Sequence, residues 1–343
     1  MRFPGWVLLA ASLPLASAAV EIPPLQHAPL GDFHLESGAV IRDFQIAYRT
    51  FGKLNEAKSN AILFPTWFTG HTQDLAGLIA PGALTDSSRY FVIAVDAIGN
   101  GNTSAPSNSR AQPRMQFPRF TIRDMVNSQH RLLTQVLHID HLRAVMGISM
   151  GGMQTFQWAV AYPTFMDKCV PIVGSPALTS YDLLLWQGEL NAIVENRDWK
   201  DGNYENMPPL KALADMHTLA LTTPLNRSHT VPRKDFPEAL AKLEAAGPDR
   251  FDASDWVRQL EAMMSLNVAA PFGDSMERAA AVVKAKFLVV VATQDHMVNP
   301  EPAVAFAKLL HATVVELEGD CGHLSPGCEM PKLVSEAGRF LDE

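Results

Sequence analysis

Short apolar runs alternate along this chain with longer segments whose apolar residues recur every three or four positions. The runs Asn60-Ala-Ile-Leu-Phe-Pro65, Tyr90-Phe-Val-Ile-Ala-Val-Asp96, Leu142–Ile148, Cys169-Val-Pro-Ile-Val173 and Phe287–Ala292 are nearly unbroken in apolar character. Such runs are expected of strands buried on both faces, as in a parallel sheet. His311-Ala-Thr-Val-Val-Glu-Leu-Glu-Gly319 reads as one more strand. From Phe33 to Phe51 the pattern changes to alternation, with Phe44, Ile46 and Tyr48 on one face and Asp43, Gln45 and Arg49 on the other. That period of two predicts an antiparallel hairpin region with one wet face. Thr121 to Val136 carries Ile122, Met125, Val126, His130, Leu133 and Val136 on one side of a helix, and Met150 to Ala161 reads as a second helix. Strand and helix alternate, which predicts an α/β fold with a mostly parallel, doubly wound sheet.

The alternation breaks between about residues 176 and 283. Leu183–Val194, Leu210–Leu221, Asp235–Ala246 and Ser254–Leu266 read as helices, and no convincing strand lies among them. This stretch is expected to form a helical cap inserted over the C-terminal edge of the sheet. Trp186, Trp199, Met207, Met216, Met263 and Met264 are expected mostly in the cap's own core, with a minority lining a pocket between cap and sheet.

The N-terminus has a different character. Met1-Arg2 is basic, Trp6 to Leu15 is mostly apolar, and Ala16-Ser-Ala18 has the small-x-small form of a cleavage site. Residues 1–18 therefore read as a secretory signal peptide preceding a domain over 19–343, and the expected location is secreted or periplasmic. A buried first helix is the alternative. No other stretch approaches about 20 uninterrupted apolar residues, so no membrane span is expected. The composition is globular, 47% hydrophobic and 19% charged, and the net charge of −8 supplies no basic footprint for nucleic acid or an anionic membrane surface. Export bears on the three cysteines. Cys321 and Cys328 bracket His323, and in an oxidising compartment they form either a disulfide or two free thiols in a loop. Cys169 reads as a buried strand residue. The three lack zinc-ligand spacing, so neither a metal nor another cofactor is expected. Asn102-Thr-Ser and Asn226-Arg-Ser are glycosylation sequons only in a host that glycosylates.

The chemistry concentrates around Gly147-Ile-Ser149-Met-Gly151, a serine between two glycines that directly follows a strand and precedes a helix. A tight turn there would expose the hydroxyl at the sheet's C-terminal edge, beside a helix N-terminus. The bare motif is common; the residues that follow add weight. Asp295 ends the strand that begins at Phe287, and His323 lies in Asp320-Cys-Gly-His323-Leu-Ser-Pro, past the last strand. The order Ser, Asp, His is the one used by serine hydrolases on doubly wound sheets. His323 is the expected base, and Asp295 the group that holds its tautomer. Two backbone donors, Met150 N–H and Phe68 N–H, are the candidate oxyanion hole. Asp96 also ends a strand but precedes the serine, and so reads as a loop anchor. His296 reads as a surface or cap-facing residue, and His71, His130, His138, His141 and His217 show no ligand spacing.

These residues fall within longer similarities. Tyr48-Arg-Thr-Phe-Gly-Lys-Leu-Asn55, Thr69-Gly70-His71, Gly147-Ile-Ser149-Met-Gly-Gly-Met-Gln154 and Asp198-Trp-Lys-Asp-Gly-Asn-Tyr204 resemble the homoserine O-acetyltransferase branch of the α/β-hydrolase superfamily. The resemblance implies an α/β-hydrolase fold with a helical cap, a triad on Ser149, Asp295 and His323, an oxyanion hole at Phe68 and Met150, and a homodimer built through the cap. Two departures weigh on the substrate. Family members resemble one another in a cap-helix Gly-Arg-Gln-Ala-Ile, where this chain has Glu189-Leu190-Asn191-Ala192-Ile193, so Leu190 replaces an arginine suited to a carboxylate. Thr66-Trp67-Phe68-Thr69-Gly70 replaces the family's His-Ala-Leu-Thr-Gly. An exported chain would also meet little acyl-CoA. The expectation is an exported serine hydrolase that acts on a small-molecule ester, or similar acyl substrate, through an acyl-enzyme. An O-acyltransferase using an alcohol or amine acceptor is the alternative, and a non-catalytic binding protein is the alternative from another class.

Overall fold

The computed structural model describes residues 22–246 and 251–343, so the segment read as a signal peptide lies outside the described residues. Eight strands form one sheet in the order β1-β2-β4-β3-β5-β6-β7-β8. β1 (Gln26–His34) and β2 (Val40–Phe51) form the antiparallel hairpin, and β2 runs antiparallel to β4 (Phe91–Val95). β3 (Ala61–Pro65), β4, β5 (Leu142–Ile148), β6 (Met166–Ile172), β7 (Lys286–Ala292) and β8 (Thr313–Leu317) are mutually parallel. The sheet is therefore mostly parallel, as the alternation of strand and helix predicts.

The helices explain why the strand runs are apolar throughout. α1 (Ile122–Arg131) and α2 (Met150–Ala161) lie on one face of the sheet. Next come α3 (Ser180–Val194), α4 (Lys211–Leu221), α5 (Pro224–Thr230), α6 (Phe236–Ala246), α7 (Ala253–Met264) and α8 (Met276–Val282). After β7 follow α9 (Glu301–Leu309), the short α10 (Ser325–Cys328) and α11 (Met330–Asp342). In β7, Phe287, Val289 and Val291 join the core beneath α1, α2 and α9, whereas Leu288, Val290 and Ala292 join the opposite core with Leu333, Ala337 and Phe340 of α11. Alternate residues point to opposite faces, and both faces are covered. Lys168, a buried lysine of β6, caps the C-terminal end of α11: its Nζ donates to the carbonyls of Phe340 and Leu341 at 2.8 and 3.2 Å.

Helices α3 to α7 form the insertion between β6 and β7. A bridge pairs Ala177 with Asn267, and Val268 N–H donates to Pro176 O at 3.0 Å. These contacts bring the two ends of the insertion together. α8 lies beyond the bridge and packs against α2 and α9, so the helix-rich stretch read as 176–283 ends in a helix that belongs with the sheet. Helical periodicity alone carries no mark of where a chain rejoins its sheet.

Candidate active site

Ser149 sits between β5 and α2 with φ 58° and ψ −121°, a backbone state that costs a residue with a Cβ about 1–3 kcal/mol. Its neighbours hold it there. Ser149 N–H donates to Ile172 O at 2.8 Å. A Cβ on Gly147 would lie 2.2 Å from Gly151 O, and one on Gly151 would lie 2.6 Å from Pro65 O. Both flanks of the serine are glycine because backbone from the next turn and the next strand occupies the space of a side chain.

Two loops at the same sheet edge bring Asp295 and His323 to the serine. Asp295 Oδ1 accepts from Met297 N–H and Val298 N–H at 2.8 and 2.9 Å, which aims Oδ2 at His323 Nδ1, 2.7 Å away. His323 Nε2 lies 2.8 Å from Ser149 Oγ. All three side chains are buried. A carboxylate only accepts hydrogen bonds, so Nδ1 carries the proton, and Nε2 is left to accept from the serine hydroxyl. The histidine loop is closed by a disulfide between Cys321 and Cys328, with Cα atoms 6.6 Å apart. Thr223 Oγ also donates to Asp320 O at 2.6 Å. Cys169 is a free, buried thiol in β6, pushed out of the titrating range by its apolar surroundings.

Phe68 and Met150 both have N–H groups that meet no acceptor among the described residues. Met150 is the first residue of α2, whose opening N–H groups have no partner within the helix. The loop that carries Phe68 is gripped from two sides. Gln154 of α2 donates to Thr66 O at 3.1 Å and accepts from Gln129 of α1 at 2.6 Å. From the insertion, Gln259 of α7 accepts from Thr69 N–H at 3.2 Å and donates to Ile98 O at 3.0 Å.

A cavity of about 580 Å³ opens over the serine. The sheet side contributes Trp67, Phe68, Ile148 and Met297; the insertion contributes Trp186, His217 and Leu221; the histidine loop contributes Leu324 and Pro326. Its walls are mostly apolar, as small-molecule sites generally are. A larger cavity of about 870 Å³ lies between the insertion and the loop after β7, lined by Tyr181, Leu185, Met216, Phe236 and His296 among others, and Ser149 is not in its lining.

The remaining sequence candidates fall as follows. Asp96 is a loop anchor: it accepts from Thr72 N–H at 3.0 Å, Thr72 Oγ at 2.7 Å and Asn100 Nδ2 at 2.7 Å. His130 stacks on Tyr162 at 4.0 Å, and burial pushes its pKa down; His141 faces Asp167. Of the cap tryptophans and methionines, only Trp186 reaches the serine cavity, while Trp199 and Met263 are buried in the core. Asn102 and Asn226 use their amides internally, donating to Asp96 Oδ1 at 3.3 Å and Asp320 Oδ1 at 3.4 Å. Gln259 and Glu189 are given no role by the sequence reading, and His217, read there as lacking ligand spacing, also lies beside the site. A signal for Glu189 exists, because Asp182, Trp186, Glu189 and Ile193 recur at helical spacing on the buried stripe of α3. A carboxylate on that stripe needs a partner. It has one in His217 Nδ1, 3.0 Å away.

A family model described as the alpha/beta hydrolase fold matches residues 62–326. The homoserine O-acetyltransferase of Mesorhizobium japonicum is 31% identical over 351 residues, spanning 90% of each chain. That of Methanococcoides burtonii is 32% identical over 313 residues, covering 80% of this chain and 63% of the relative, so this chain spans less than two thirds of that protein. Among solved structures, an acetylester hydrolase from Corynebacterium glutamicum superposes with a TM-score of 0.87 at 27% identity, covering 93% of this chain and 96% of the other.

Proposed function

Since the chain belongs to the alpha/beta hydrolase fold family, in its homoserine O-acetyltransferase-like branch, we propose that it is an exported serine esterase of small-molecule esters. The observation that carries this reading is the buried row Ser149 Oγ, His323 Nε2 and Nδ1, Asp295 Oδ2, under a mostly apolar cavity and beside two N–H groups that meet no acceptor among the described residues. In this reading Ser149 Oγ attacks the ester carbonyl and its proton passes to His323 Nε2. The carbonyl oxygen becomes an oxyanion, held by Phe68 N–H and Met150 N–H; one such donor contributes about 3–4 kcal/mol to the barrier reduction. Asp295 stabilises the imidazolium without taking its proton. As the intermediate collapses, His323 protonates the departing alkoxide and the alcohol leaves. Water then enters, gives its proton to His323 and attacks the acyl-serine, and the acid departs as Ser149 recovers its proton.

Water rather than a bound alcohol as acceptor is supported by Leu190, which puts a half-buried apolar side chain where a carboxylate-binding arginine would stand. The basic, apolar and small-residue pattern of residues 1–18 supports export, away from acyl-CoA. The acetylester hydrolase among the structural relatives fits the same reading. Acyl transfer to an alcohol is the second reading, favoured by the two curated acetyltransferase relatives. Purified protein, a p-nitrophenyl ester and a fluorophosphonate probe test the first. Turnover and labelling that both vanish in Ser149→Ala are expected; a wild type that neither turns over nor labels refutes catalysis at this serine. Rapid O-acetylhomoserine formation from acetyl-CoA and homoserine would instead install the second reading. Protein recovered from the exported fraction should begin after Ala18 when its N-terminus is sequenced.

A further inference from the structure

The mostly apolar cavity over Ser149 carries a polar side chain besides the serine and His323. His217 of α4 lines it, with Nδ1 turned to Glu189 Oε1 at 3.0 Å. The His217 side chain is 19% exposed and that of Glu189 is 0% exposed. Glu189 Oε2 has no hydrogen-bond partner among the described residues, and neither has Nε1 of Trp186, a buried side chain that lines the same cavity. The histidine ring sits edge-on between Phe68, at 6.0 Å, and Trp256, at 5.2 Å. His217 therefore flanks the residue whose N–H is the oxyanion donor of the proposed esterase.

A carboxylate fully removed from water is costly unless a counter-charge and hydrogen bonds meet it. Among the described residues the only partner of Glu189 is His217. Pairing the buried carboxylate with an imidazolium would leave Nε2–H as a charged donor, to which no described residue offers an acceptor. Trp186, which lines the same cavity, carries a second buried donor, Nε1–H, with no acceptor among the described residues. Buried donors of this kind discriminate more strongly than apolar walls, because a ligand that cannot satisfy them leaves them unpaired.

Resting on the esterase reading, we infer that Glu189, His217 and Trp186 form a specificity subsite for an acceptor oxygen carried by the substrate away from the scissile bond. The substrates it selects are short oxygenated esters, bearing an ether, hydroxyl, carbonyl or carboxylate oxygen, in preference to plain alkyl esters of the same size. His217 is here a specificity residue and takes no part in bond making.

The test uses two isosteric pairs: p-nitrophenyl methoxyacetate against p-nitrophenyl butyrate, and 2-methoxyethyl acetate against butyl acetate. Each kcat/KM is divided by the ester's own alkaline hydrolysis rate, which removes intrinsic reactivity. Wild type is expected to favour the ether member of at least one pair by about tenfold or more, the size of a hydrogen bond to a charged donor. The joint variant Glu189→Leu with His217→Phe removes donor and buried charge together, and its ratio should fall to near one. Any common loss from repacking cancels in the ratio. His217→Gln keeps an N–H donor and should retain part of the preference, which covers the case in which the joint variant fails to fold. Wild-type ratios within about twofold of one in both pairs overturn the inference, as does a joint variant that keeps the wild-type ratio. Absence of turnover on all four esters, together with no labelling of Ser149, removes the esterase reading and this subsite with it; turnover with ratios near one removes the subsite alone.

Discussion

Gln259 offers the sharpest test of how the insertion serves the site. Its side chain is fully buried, and it makes two hydrogen bonds to the body: Oε1 accepts from Thr69 N–H at 3.2 Å and Nε2 donates to Ile98 O at 3.0 Å. Leucine has nearly the same volume, so Gln259→Leu removes both bonds without opening a large cavity. Each backbone group left unpaired costs about 1–3 kcal/mol, and a total loss of about 2–6 kcal/mol of stability is expected. The effect on rate follows from position. Thr69, at φ +62°, is the residue after Phe68, and its N–H fixes the loop that aims the Phe68 N–H. Full loss of one oxyanion donor costs a factor of about 100–1,000 in kcat, so partial misplacement should cost about 10 to 100. KM should change little, because the donor acts mainly in the transition state. The assay is kcat and KM on p-nitrophenyl acetate, with thermal unfolding of the same samples. A lowered melting temperature with unchanged kcat would refute the positioning role and leave Gln259 a packing residue; a rise in KM alone would mean that it shapes the cavity instead.

Gly147→Ala places a Cβ 2.2 Å from Gly151 O, so the elbow must open; loss of more than about 4 kcal/mol of stability, or failure to fold, is expected from denaturant titration, and a near-native midpoint would contradict the geometry. Asp255 of α7 is pushed up to about 8, chiefly by burial and against the hydrogen bonds from Ser107. A carboxyl raised in the folded state favours folding fully below its unfolded pKa near 3.8, and that contribution drains away as the pH climbs to about 8. Wild type should therefore lose stability relative to Asp255→Asn between about pH 4 and 8, by up to about 1.4 kcal/mol per unit; parallel melting curves across that window would refute it. The Cys321–Cys328 bridge spans 7 positions, and closing so short a loop stabilises by about 2–3 kcal/mol on chain-entropy grounds. Reduction with alkylation should add two alkyl groups beyond the one that Cys169 takes on denaturation, and the reduced protein should melt earlier; an intact mass that reduction does not change would remove the bridge.

Much of this molecule is legible in its local pattern. The two-sided apolar strands, the one wet hairpin and the glycines around Ser149 are each set within a few residues, because strand burial and steric exclusion act at short range. The chain order of Ser149, Asp295 and His323, each just past a strand, follows from the same strand boundaries and places all three at one edge of a parallel sheet. One alternative left open by the sequence needed the folded chain, whether Cys321 meets Cys328, and the Ala177–Asn267 bridge moves the end of the insertion back from the expected residue 283. The Gln259 clamp on Thr69, 190 residues away in sequence, has no periodic signature, and the helical spacing that buries Glu189 does not name its partner His217 on another helix of the insertion. Those contacts exist only after α3, α4 and α7 pack over the sheet. A buried polar group must find a partner, but only tertiary packing decides which one. The sequence alone therefore determined the sheet, the elbow and the order of Ser149, Asp295 and His323; the folded chain decided what grips the Phe68 loop and that His217, paired with Glu189, lines the cavity.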